Sequence, residues 1–201
     1  MIIGPKFKIA KRLGAPIFEK TQSQKFALSE ARSGRLKKRR GNMSDYNRQL
    51  IEKQKMRFSY GIREKQLRRY VDEAMEKSQQ PIASLMERLE SRLDNVVYRL
   101  GIAKTRQQAR QLVSHGHITI GGRKMNIPSY KVRQGDIISV REGSKQIGLL
   151  ENFEERHSAQ SIPAWLSFDL KNLTGTVLNR ATYNPAETLF DPEQVLEYYS
   201  R

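Results

Sequence analysis

The sequence predicts an α+β fold: a helical N-terminal domain with a basic extended arm, then a small module in which two helices and a hairpin pack on a mixed or antiparallel sheet. Three observations predict it. Lysine and arginine are concentrated in the first third of the chain, helical apolar stripes run from residue 44 to 100, and short alternating strands surround a Gly-Gly pair after residue 116. With 201 residues, 37% of them hydrophobic, the chain can build one modest core or two small ones, so a large catalytic domain is not expected.

Positive charge is concentrated near the N-terminus. The chain has 37 Lys and Arg against 21 Asp and Glu, a net charge of +16. Residues 1–70 carry 20 and 5 of these (+15), residues 71–150 carry 13 and 8 (+5), and residues 151–201 carry 4 and 8 (−4). Such a concentrated field predicts a polyanionic partner. The densest run, residues 35–40, is by itself equally typical of a solvated linker, but no apolar helix face lies opposite it, so nucleic acid is favoured over a membrane.

The first half of the chain predicts an arm followed by two helices. Residues 1–42 lack periodic apolar positions, which indicates extended or irregular structure that orders fully on a partner. Ser44 can cap a helix that ends near Gly61. A second helix follows, and its apolar stripe consists of Ile62, Leu67, Tyr70, Val71 and Ala74.

Two further helices are expected in the middle of the chain, and each ends at a glycine. The third covers residues 84–100, with a capping box formed by Ser84 and Glu87 at its start. The fourth is barely three turns long and begins at a second capping box, formed by Thr105 and Gln108.

A hairpin follows the fourth helix. Residues 117–120 alternate in polarity, Gly121 and Gly122 can both adopt positive φ, and residues 123–127 return along the first strand. Another strand is expected at residues 137–141.

The last quarter of the chain is acidic. Glutamates after residue 150 predict an exposed helix, and Trp165 in a short strand is interpreted as a core anchor rather than a base-stacking platform. A final helix begins cleanly, since Asp191 can cap it and Pro192 occupies its first position.

These elements suggest four segments. We expect a basic arm (1–42), a helical domain (43–83) joined by the C-terminal helix (191–201), a helix-helix-hairpin module (84–148), and an acidic helix with short strands that complete the second domain (149–190).

The fourth helix carries the clearest candidates for RNA contact. Arg106 and Arg110 are four residues apart and share one face, with Lys104 at the beginning. Phosphate contact is the functional interpretation, and a solvated cationic face is the alternative. Convergence favours phosphate contact, because more cations and two histidines flank this helix. These flanking residues are Arg99, His115, His117, Arg123 and Lys124. The histidines are interpreted as neutral hydrogen-bonding or packing groups.

Aromatic residues alternate with cations between residues 46 and 63. This pattern permits base stacking beside phosphate neutralisation, although amphipathic packing explains the aromatics equally well.

No catalytic or metal site is evident in the sequence. The absence of Cys excludes thiolate zinc sites, and three His, two of them two residues apart, make a His-only site improbable. Asp94 stands beside two arginines, a setting more typical of a structural ion pair or cap than of a catalytic carboxylate. The chain has neither a phosphate-binding glycine-rich loop nor a nucleophile elbow. We therefore expect no enzymatic activity, no metal and no cofactor.

Two segments carry a family likeness. Residues 92–101 (RLDNVVYRLG) and 105–120 (TRQQARQLVSHGHITI) closely resemble the S4 RNA-binding domain, a helix-helix-hairpin module. The flanking sequences resemble the small-subunit ribosomal protein S4 family of bacterial or organellar type over almost the full length. These flanking matches are Gly4-Pro-Lys, Ser44-Asp-Tyr, Glu52-Lys-Gln-Lys55, Tyr60-Gly61, Asn126-Ile-Pro-Ser-Tyr130 and Glu197-Tyr-Tyr-Ser-Arg201. Many relatives bind zinc through four Cys near the N-terminus, and this chain, which has none, resembles the zinc-free form.

The resemblance implies a structural constituent of the small ribosomal subunit. Such a protein is a primary binder of 16S-type rRNA that holds a multi-helix junction of the 5′ domain, nucleates assembly and contributes to translational accuracy. The implied neighbours are ribosomal protein S5, other small-subunit proteins and mRNA where it enters the subunit, and no membrane. The implied location is the ribosome of a bacterial cytoplasm, or of an organelle that encodes the gene, because no targeting extension precedes the family-like start.

The charge pattern and the resemblance together give one set of candidate RNA-binding residues. They are Lys6, Lys8, Lys11, Arg12, Lys37, Lys38, Arg39, Arg40, Tyr46, Arg48, Lys53, Lys55, Arg57, Arg63, Arg68, Arg69, Arg92, Arg99, Lys104, Thr105, Arg106, Arg110, Gln111, His115, His117, Arg123 and Lys124.

Two rival classes remain open at this stage. Pseudouridine synthases can carry an S4 domain and use an Asp in a motif that resembles Arg92-Leu93-Asp94. Those enzymes place a large catalytic domain after the module, whereas only residues 149–201 follow it here. A stand-alone RNA-binding stress factor would be shorter and would lack the basic region before residue 84.

Overall fold

Helices build one part of the chain, and helices with a sheet build the other. The computed structural model describes residues 3–34, 43–144, 162–170 and 172–201. Two units can be distinguished: Met1–Ile82 together with Asn184–Arg201, and Ala83–Tyr183. The α+β class predicted from the sequence is confirmed.

The described part of the first unit is helical. Its helices are α1 (Lys6–Leu13), α2 (Gln24–Gly34), α3 (Asp45–Ser59), α4 (Glu64–Lys77) and the C-terminal helix, here α8 (Pro192–Tyr199). Ser44 caps α3 by accepting a hydrogen bond from the Asn47 backbone N–H at 3.4 Å, and Gly61 follows its end with φ of 61°. The predicted apolar stripe of α4 is buried.

The expectation of an irregular arm is wrong for residues 6–34. This segment forms α1, a short 3-10 turn and α2 around a small core of its own. The rings of Phe7 and Phe26 meet edge to face with centroids 5.2 Å apart, and the ring of Phe18 lies 6.1 Å from that of Phe58 in α3. Aromatic packing between distant positions supports these helices, which are short enough to depend on such tertiary contacts. Residues 35–40, the densest basic run, lie outside the described residues.

Helix α8 packs on α3 within the same unit. Asp191 accepts a hydrogen bond from the Glu193 backbone N–H at 2.9 Å and Pro192 starts the helix, as predicted. The Gln49 side chain of α3 donates to a Glu197 carboxylate oxygen of α8 at 2.8 Å. The C-terminal segment is therefore an integral part of the first unit.

The single helix predicted for residues 84–100 is two helices. These are α5 (Pro81–Glu90) and α6 (Leu93–Arg99), and Ser84 lies inside α5, so the predicted capping box is wrong. Arg92 between them is extended and forms a β-bridge with Lys131. The Leu93 backbone N–H donates to the Tyr130 carbonyl at 2.9 Å, so a distant loop supplies a hydrogen bond that a continuous helix would have formed internally.

Helix α7 (Arg106–Ser114) starts at a genuine cap. Thr105 Oγ1 accepts a hydrogen bond from the Gln108 backbone N–H at 3.1 Å. The Gln108 side chain accepts in return from the Lys104 backbone N–H at 2.8 Å, one residue earlier than in the predicted capping box. Gly116 ends the helical segment with φ of 75°.

The sheet of the second unit has five antiparallel strands in the order β2-β1-β3-β5-β4. The strands are β1 (Ile118–Ile120), β2 (Arg123–Met125), β3 (Ile137–Val140), β4 (Leu166–Asp169) and β5 (Thr174–Val177). Gly121 and Gly122 have φ of 54° and 78°, the two left-handed positions of a type I′ hairpin turn. The acidic helix expected after residue 150 falls outside the described residues.

One apolar core joins these strands to α6 and α7. Trp165 is 2% exposed and belongs to this core, as the sequence predicted. Gly175 of β5 faces Leu100, and a β-carbon at position 175 would collide with the Leu100 side chain. The core thereby fixes α7, the helix with the clearest candidate RNA contacts, on a rigid support.

Candidate RNA-binding surface

Helix α7 presents two arginines that are anchored rather than freely solvated. The Arg106 guanidinium lies 4.4 Å from the ring centroid of Tyr98, and its Nε donates to Asn95 Oδ1 at 2.9 Å. Arg110 donates through Nε to Asp94 Oδ2 at 2.7 Å. Both side chains are half-buried, so part of each stays in contact with solvent. They are held on the same side of α7, as their spacing predicts.

Asp94 lies beneath this pair and joins two arginines. It is 3% exposed, and Arg92 also donates to it twice, through Nε at 3.0 Å and Nη2 at 2.8 Å. The buried carboxylate and the guanidinium groups that flank it are joined by charge-assisted hydrogen bonds. The interpretation of Asp94 as a structural ion-pairing residue is confirmed.

Glu90 plays the same part for Arg99. It is 3% exposed, and Arg99 donates to it through Nε at 3.0 Å and Nη2 at 3.1 Å. The Asn95 amide Nδ2 donates to Glu90 Oε2 at 2.8 Å and to the Glu90 carbonyl at 3.0 Å. Asn95 therefore links Glu90 to Arg106.

We call Glu90, Asp94 and Asn95 the buried polar cluster. It lies under Arg99, Arg106 and Arg110 and contacts all three. Glu90 and Asn95 were not among the residues predicted from the sequence. A signal was available, because Glu90 and Asp94 each follow a leucine of the apolar stripe that the sequence predicts to be buried, and acidic groups carried inward need cationic partners.

The other end of α7 meets the hairpin. The rings of His115 and His117 have centroids 6.0 Å apart, and His117 Nδ1 lies 2.9 Å from Ser144 Oγ. The Lys124 side chain lies across Gly116, where a β-carbon would collide with it. The remaining predicted residues of this region, Lys104, Gln111 and Arg123, are exposed, and Thr105 is half-buried at the cap. The second unit thus brings cations together along α7 and its hairpin.

The first unit has its own exposed cations. Lys8, Arg12, Arg48, Arg63, Arg68 and Arg69 are exposed, and Lys6 and Lys11 are half-buried. Lys11 Nζ donates to Ser29 Oγ at 2.7 Å, and Arg48 pairs with Asp45 at 2.8 Å. The exposed ion pair between Arg48 and Asp45 contributes little free energy, so Arg48 stays available to a polyanion. Lys37, Lys38, Arg39 and Arg40 lie outside the described residues.

Two predicted RNA-binding residues are buried in contacts with the protein itself. Lys53 is 5% exposed; its ammonium donates to Glu64 Oε1 at 2.8 Å and lies 4.4 Å from the ring centroid of Tyr198. Arg92 is also 5% exposed, and its guanidinium is bonded to Asp94. In the described conformation neither can reach a phosphate, because each is committed to a buried carboxyl partner or an aromatic ring. The sequence could not reveal the partners of Lys53, because Glu64 and Tyr198 lie on other helices, whereas an ion pair at Asp94 was expected from its neighbouring arginines.

Lys55, Arg57 and Tyr46 are also engaged. Lys55 pairs with Glu52 at 2.7 Å, and the Arg57 guanidinium lies 4.6 Å from the Phe58 ring centroid. The hydroxyl groups of Tyr46 and Tyr198 are 3.5 Å apart, and this hydrogen bond raises the pKa of Tyr46. Tyr46 is nevertheless exposed, so its ring is still accessible to a base.

Glu64 links α4 to α8. It accepts hydrogen bonds from Lys53 at 2.8 Å and from the Tyr199 hydroxyl at 2.7 Å. Burial by itself would raise the pKa of Glu64, but these two hydrogen bonds, together with the positive charges of Lys53 and Arg57, outweigh burial, so the pKa is lowered. Burial, followed by the hydrogen bond to Glu64, raises the pKa of Tyr199. The pair is thus held as a carboxylate and a neutral phenol.

Across the described ranges, no group of three or more His, Asp or Glu side chains is placed to hold a metal ion. In those same ranges, no helix is both long and apolar enough to cross a membrane.

Comparison with known proteins identifies the family. A model for the ribosomal protein S4/S9 N-terminal domain matches residues 1–93, and a model for the S4 domain matches residues 91–138. The small ribosomal subunit protein uS4 of Persephonella marina is 44% identical over 200 residues, 98% of each chain. The corresponding proteins of Aquifex aeolicus and Roseiflexus castenholzii are 41% and 45% identical, with 99% of this chain and 98% of each relative covered. The chain belongs to the uS4 family of small ribosomal subunit proteins.

Proposed function

We propose that this protein is an rRNA-binding constituent of the small ribosomal subunit, and that α7 with its hairpin forms a principal RNA contact. The observation that carries the proposal is the placement of Arg99, Arg106 and Arg110 together above the buried polar cluster, inside the segment that matches the S4 domain. Cations fixed on a rigid surface suit a partner whose phosphates are themselves in fixed positions.

The RNA that fits this surface best is a folded junction. Arginines that are fixed by the protein match the shape of an RNA backbone, whereas base sequence is a secondary determinant in such recognition. On this basis, and because the chain belongs to the uS4 family, we assign to the protein the role of holding a multi-helix junction of the 16S-type rRNA 5′ domain. By holding this junction it would nucleate assembly.

The first unit supplies a second basic surface. Lys8, Arg12, Arg63, Arg68 and Arg69 are exposed there and are assigned to phosphate contacts. We assign these cations of the first unit to cooperate with the S4 module in binding one RNA.

The acidic C-terminal quarter suits protein neighbours rather than RNA. Residues 151–201 carry a net charge of −4, opposite in sign to the rest of the chain. Contacts with ribosomal protein S5 and other small-subunit neighbours, proximity to incoming mRNA and an influence on translational accuracy are proposed on this charge and on the family resemblance. The ribosome is proposed to be a bacterial one, because the relatives described above come from bacteria.

We propose no catalytic role. Asp94, the residue that resembles the catalytic aspartate of pseudouridine synthases, is 3% exposed and is bonded to Arg92 and Arg110. A carboxylate so enclosed is poorly placed to attack a base. Incubation of the protein with rRNA, followed by mapping of pseudouridine, is expected to reveal no new modified site, and a site that depends on Asp94 would overturn this assignment.

Filter binding tests the proposed function directly. The full chain is titrated against a folded 16S-type five-prime junction RNA and against a scrambled duplex of equal length. We expect the junction to bind more tightly and both affinities to fall steeply with salt, with log K decreasing by roughly 0.7 to 0.9 per neutralised phosphate for each decade of salt. Equal affinity for the two RNAs at every salt concentration would contradict specific junction binding.

A further inference from the structure

We propose that the buried polar cluster positions the arginines that contact rRNA. Asp94 positions Arg110, and Glu90 positions Arg99 directly and Arg106 through Asn95. The inference rests on the proposed function, because it explains how the α7 surface becomes specific for a folded RNA. Glu90, Asp94 and Asn95 are positioning residues in this account and do not themselves touch the RNA.

The contact between Asp94 and Arg110 is built to fix a guanidinium in place. The Asp94 side chain is 4% exposed and the Arg110 side chain is 26% exposed, so a buried anion holds one edge of a cation that reaches solvent. Arg92 donates to both oxygens of the same carboxylate and so fixes its orientation. An arginine restrained in this way loses less conformational entropy when it binds a phosphate.

Arg106 is fixed through a relay. Because Asn95 Nδ2 donates to Glu90, its amide is oriented with Oδ1 toward Arg106 Nε. The Tyr98 ring covers one face of the same guanidinium. If the Asn95 amide were reversed, its NH2 group would face the Arg106 guanidinium and could not accept a hydrogen bond from it. Glu90 prevents this reversal by accepting from Asn95 Nδ2, and so keeps the acceptor Oδ1 in place for Arg106.

Glu90 holds the third arginine without an intermediary. Both of its carboxylate oxygens accept from Arg99, in the two-point geometry that restricts rotation of a guanidinium. The cluster therefore fixes three cations relative to one another as well as to α7. Cations with a fixed mutual spacing can match phosphates that a folded junction holds in a fixed arrangement of its own.

The proposal predicts an effect opposite in sign to simple electrostatics. Two carboxylates near an RNA surface repel phosphates, so removal of one negative charge would by itself tighten binding to every RNA. If the cluster positions arginines, removal of the Asp94 charge instead weakens binding to the folded junction and leaves duplex binding unchanged or tighter. Affinity for the two RNAs is therefore the discriminating measurement.

The test compares Asp94→Asn with Glu87→Gln in the full chain. Glu87 is a carboxylate of the same unit that pairs with Lys131 at 3.0 Å, so its removal causes the same change in net charge away from the cluster. We expect Asp94→Asn to weaken junction binding about tenfold, which corresponds to a typical coupling between interacting residues. We expect Glu87→Gln to change junction binding by less than about twofold, as for an exposed ion pair.

Two further variants keep the test decisive if Asp94→Asn folds poorly. Asn95→Ser leaves the net charge unchanged and is expected to weaken junction binding several-fold with little effect on the duplex. In an Arg110→Gln background, Asp94→Asn is expected to have only a small further effect on junction binding, because the arginine it positions is gone. Circular dichroism spectra at the binding temperature, with thermal melts whose midpoints lie above it, establish that each variant is folded.

The outcomes separate this inference from the function on which it rests. Wild-type protein that fails to distinguish the junction from the duplex would contradict the proposed function. Wild-type preference for the junction, together with folded Asp94→Asn and Asn95→Ser variants that bind it as tightly as wild type or more tightly, would overturn the positioning role alone.

Discussion

The buried carboxylates of Glu90 and Asp94 bind the guanidinium groups of Arg99 and Arg110, which reach the surface. Arg106 and Arg110 could be placed on one helix face from their four-residue spacing. Their partners Asn95 and Asp94 could not be assigned from the sequence, because they lie on α6, and only tertiary packing brings α6 against α7. For the same reason Lys53 reads as an RNA-binding residue in the sequence but is buried between Glu64 and Tyr198.

A single glycine permits the sheet to pack on the end of α6. A β-carbon at Gly175 would overlap the side chain of Leu100, which is fully buried and can shift only by displacing its neighbours in the core. We expect Gly175→Ala to lower the free energy of unfolding of the second unit by about 1–3 kcal/mol, the usual cost of overpacking a core. Urea denaturation checks this value. Gly143→Ala is the control, because no atom lies within 4 Å of the added carbon, and it should change stability little.

Helix ends were predictable where the capping residue is local. Ser44, Thr105 and Asp191 each cap the helix expected from the sequence, since the cap and the N–H it accepts from lie within three residues. The break between α5 and α6 was missed because the hydrogen bonds that replace helical ones come from residues 128–132. Helices α1 and α2 were missed because they are short, 8 and 11 residues, and their few apolar positions are buried only in a small core shared with α3.

The cap of α7 should contribute measurably to stability. Thr105 Oγ1 accepts one of the first backbone N–H groups of the helix, and removal leaves that donor without its side-chain partner. We expect Thr105→Ala to lower the free energy of unfolding by about 1 kcal/mol, and Thr105→Ser, which keeps the hydroxyl, to retain most of it. Chemical denaturation measures both. Equal losses in the two variants would show that the threonine methyl group, not the cap, matters.

The contact between α4 and α8 should be sensitive to acid. The pKa of Glu64 is lowered from its usual 4.5, so the folded state binds this proton less readily than the unfolded state does. Its stabilising contribution is therefore complete above that usual value and is lost as the pH falls through the folded pKa. Solvent screening reduces the effect, because Glu64 is only partly buried.

Glu64→Gln is expected to be less stable than wild type at neutral pH, with the difference shrinking below the usual carboxyl pKa. Thermal melts at a series of pH values measure this convergence. Glu76→Gln, a change at an exposed residue of the same helix, serves as the control. A Glu64→Gln deficit that stayed constant down to acid pH would show that the carboxylate charge is not responsible.

At the scale of the whole molecule, charge is divided along the chain while each unit keeps its own core. The first 70 residues carry +15 and the last 51 carry −4, yet the C-terminal helix α8 packs on α3 within the basic unit. Composition alone indicated a polyanionic partner, and family membership identifies it as ribosomal RNA. The pairing of α8 with α3 joins the two ends of the chain in one unit, which no local pattern in either segment specifies.

The salt dependence of junction binding tests most directly whether the α7 arginines neutralise rRNA phosphates. Wild type, Arg106→Gln, Arg110→Gln and the control Lys131→Gln are compared by filter binding over a salt series. The slope of log K against log salt is expected to become shallower by roughly 0.7 to 0.9 for each α7 substitution and to stay unchanged for Lys131→Gln. Slopes equal to that of wild type in both α7 variants, with the proteins folded, would contradict the assignment of α7 to the RNA interface.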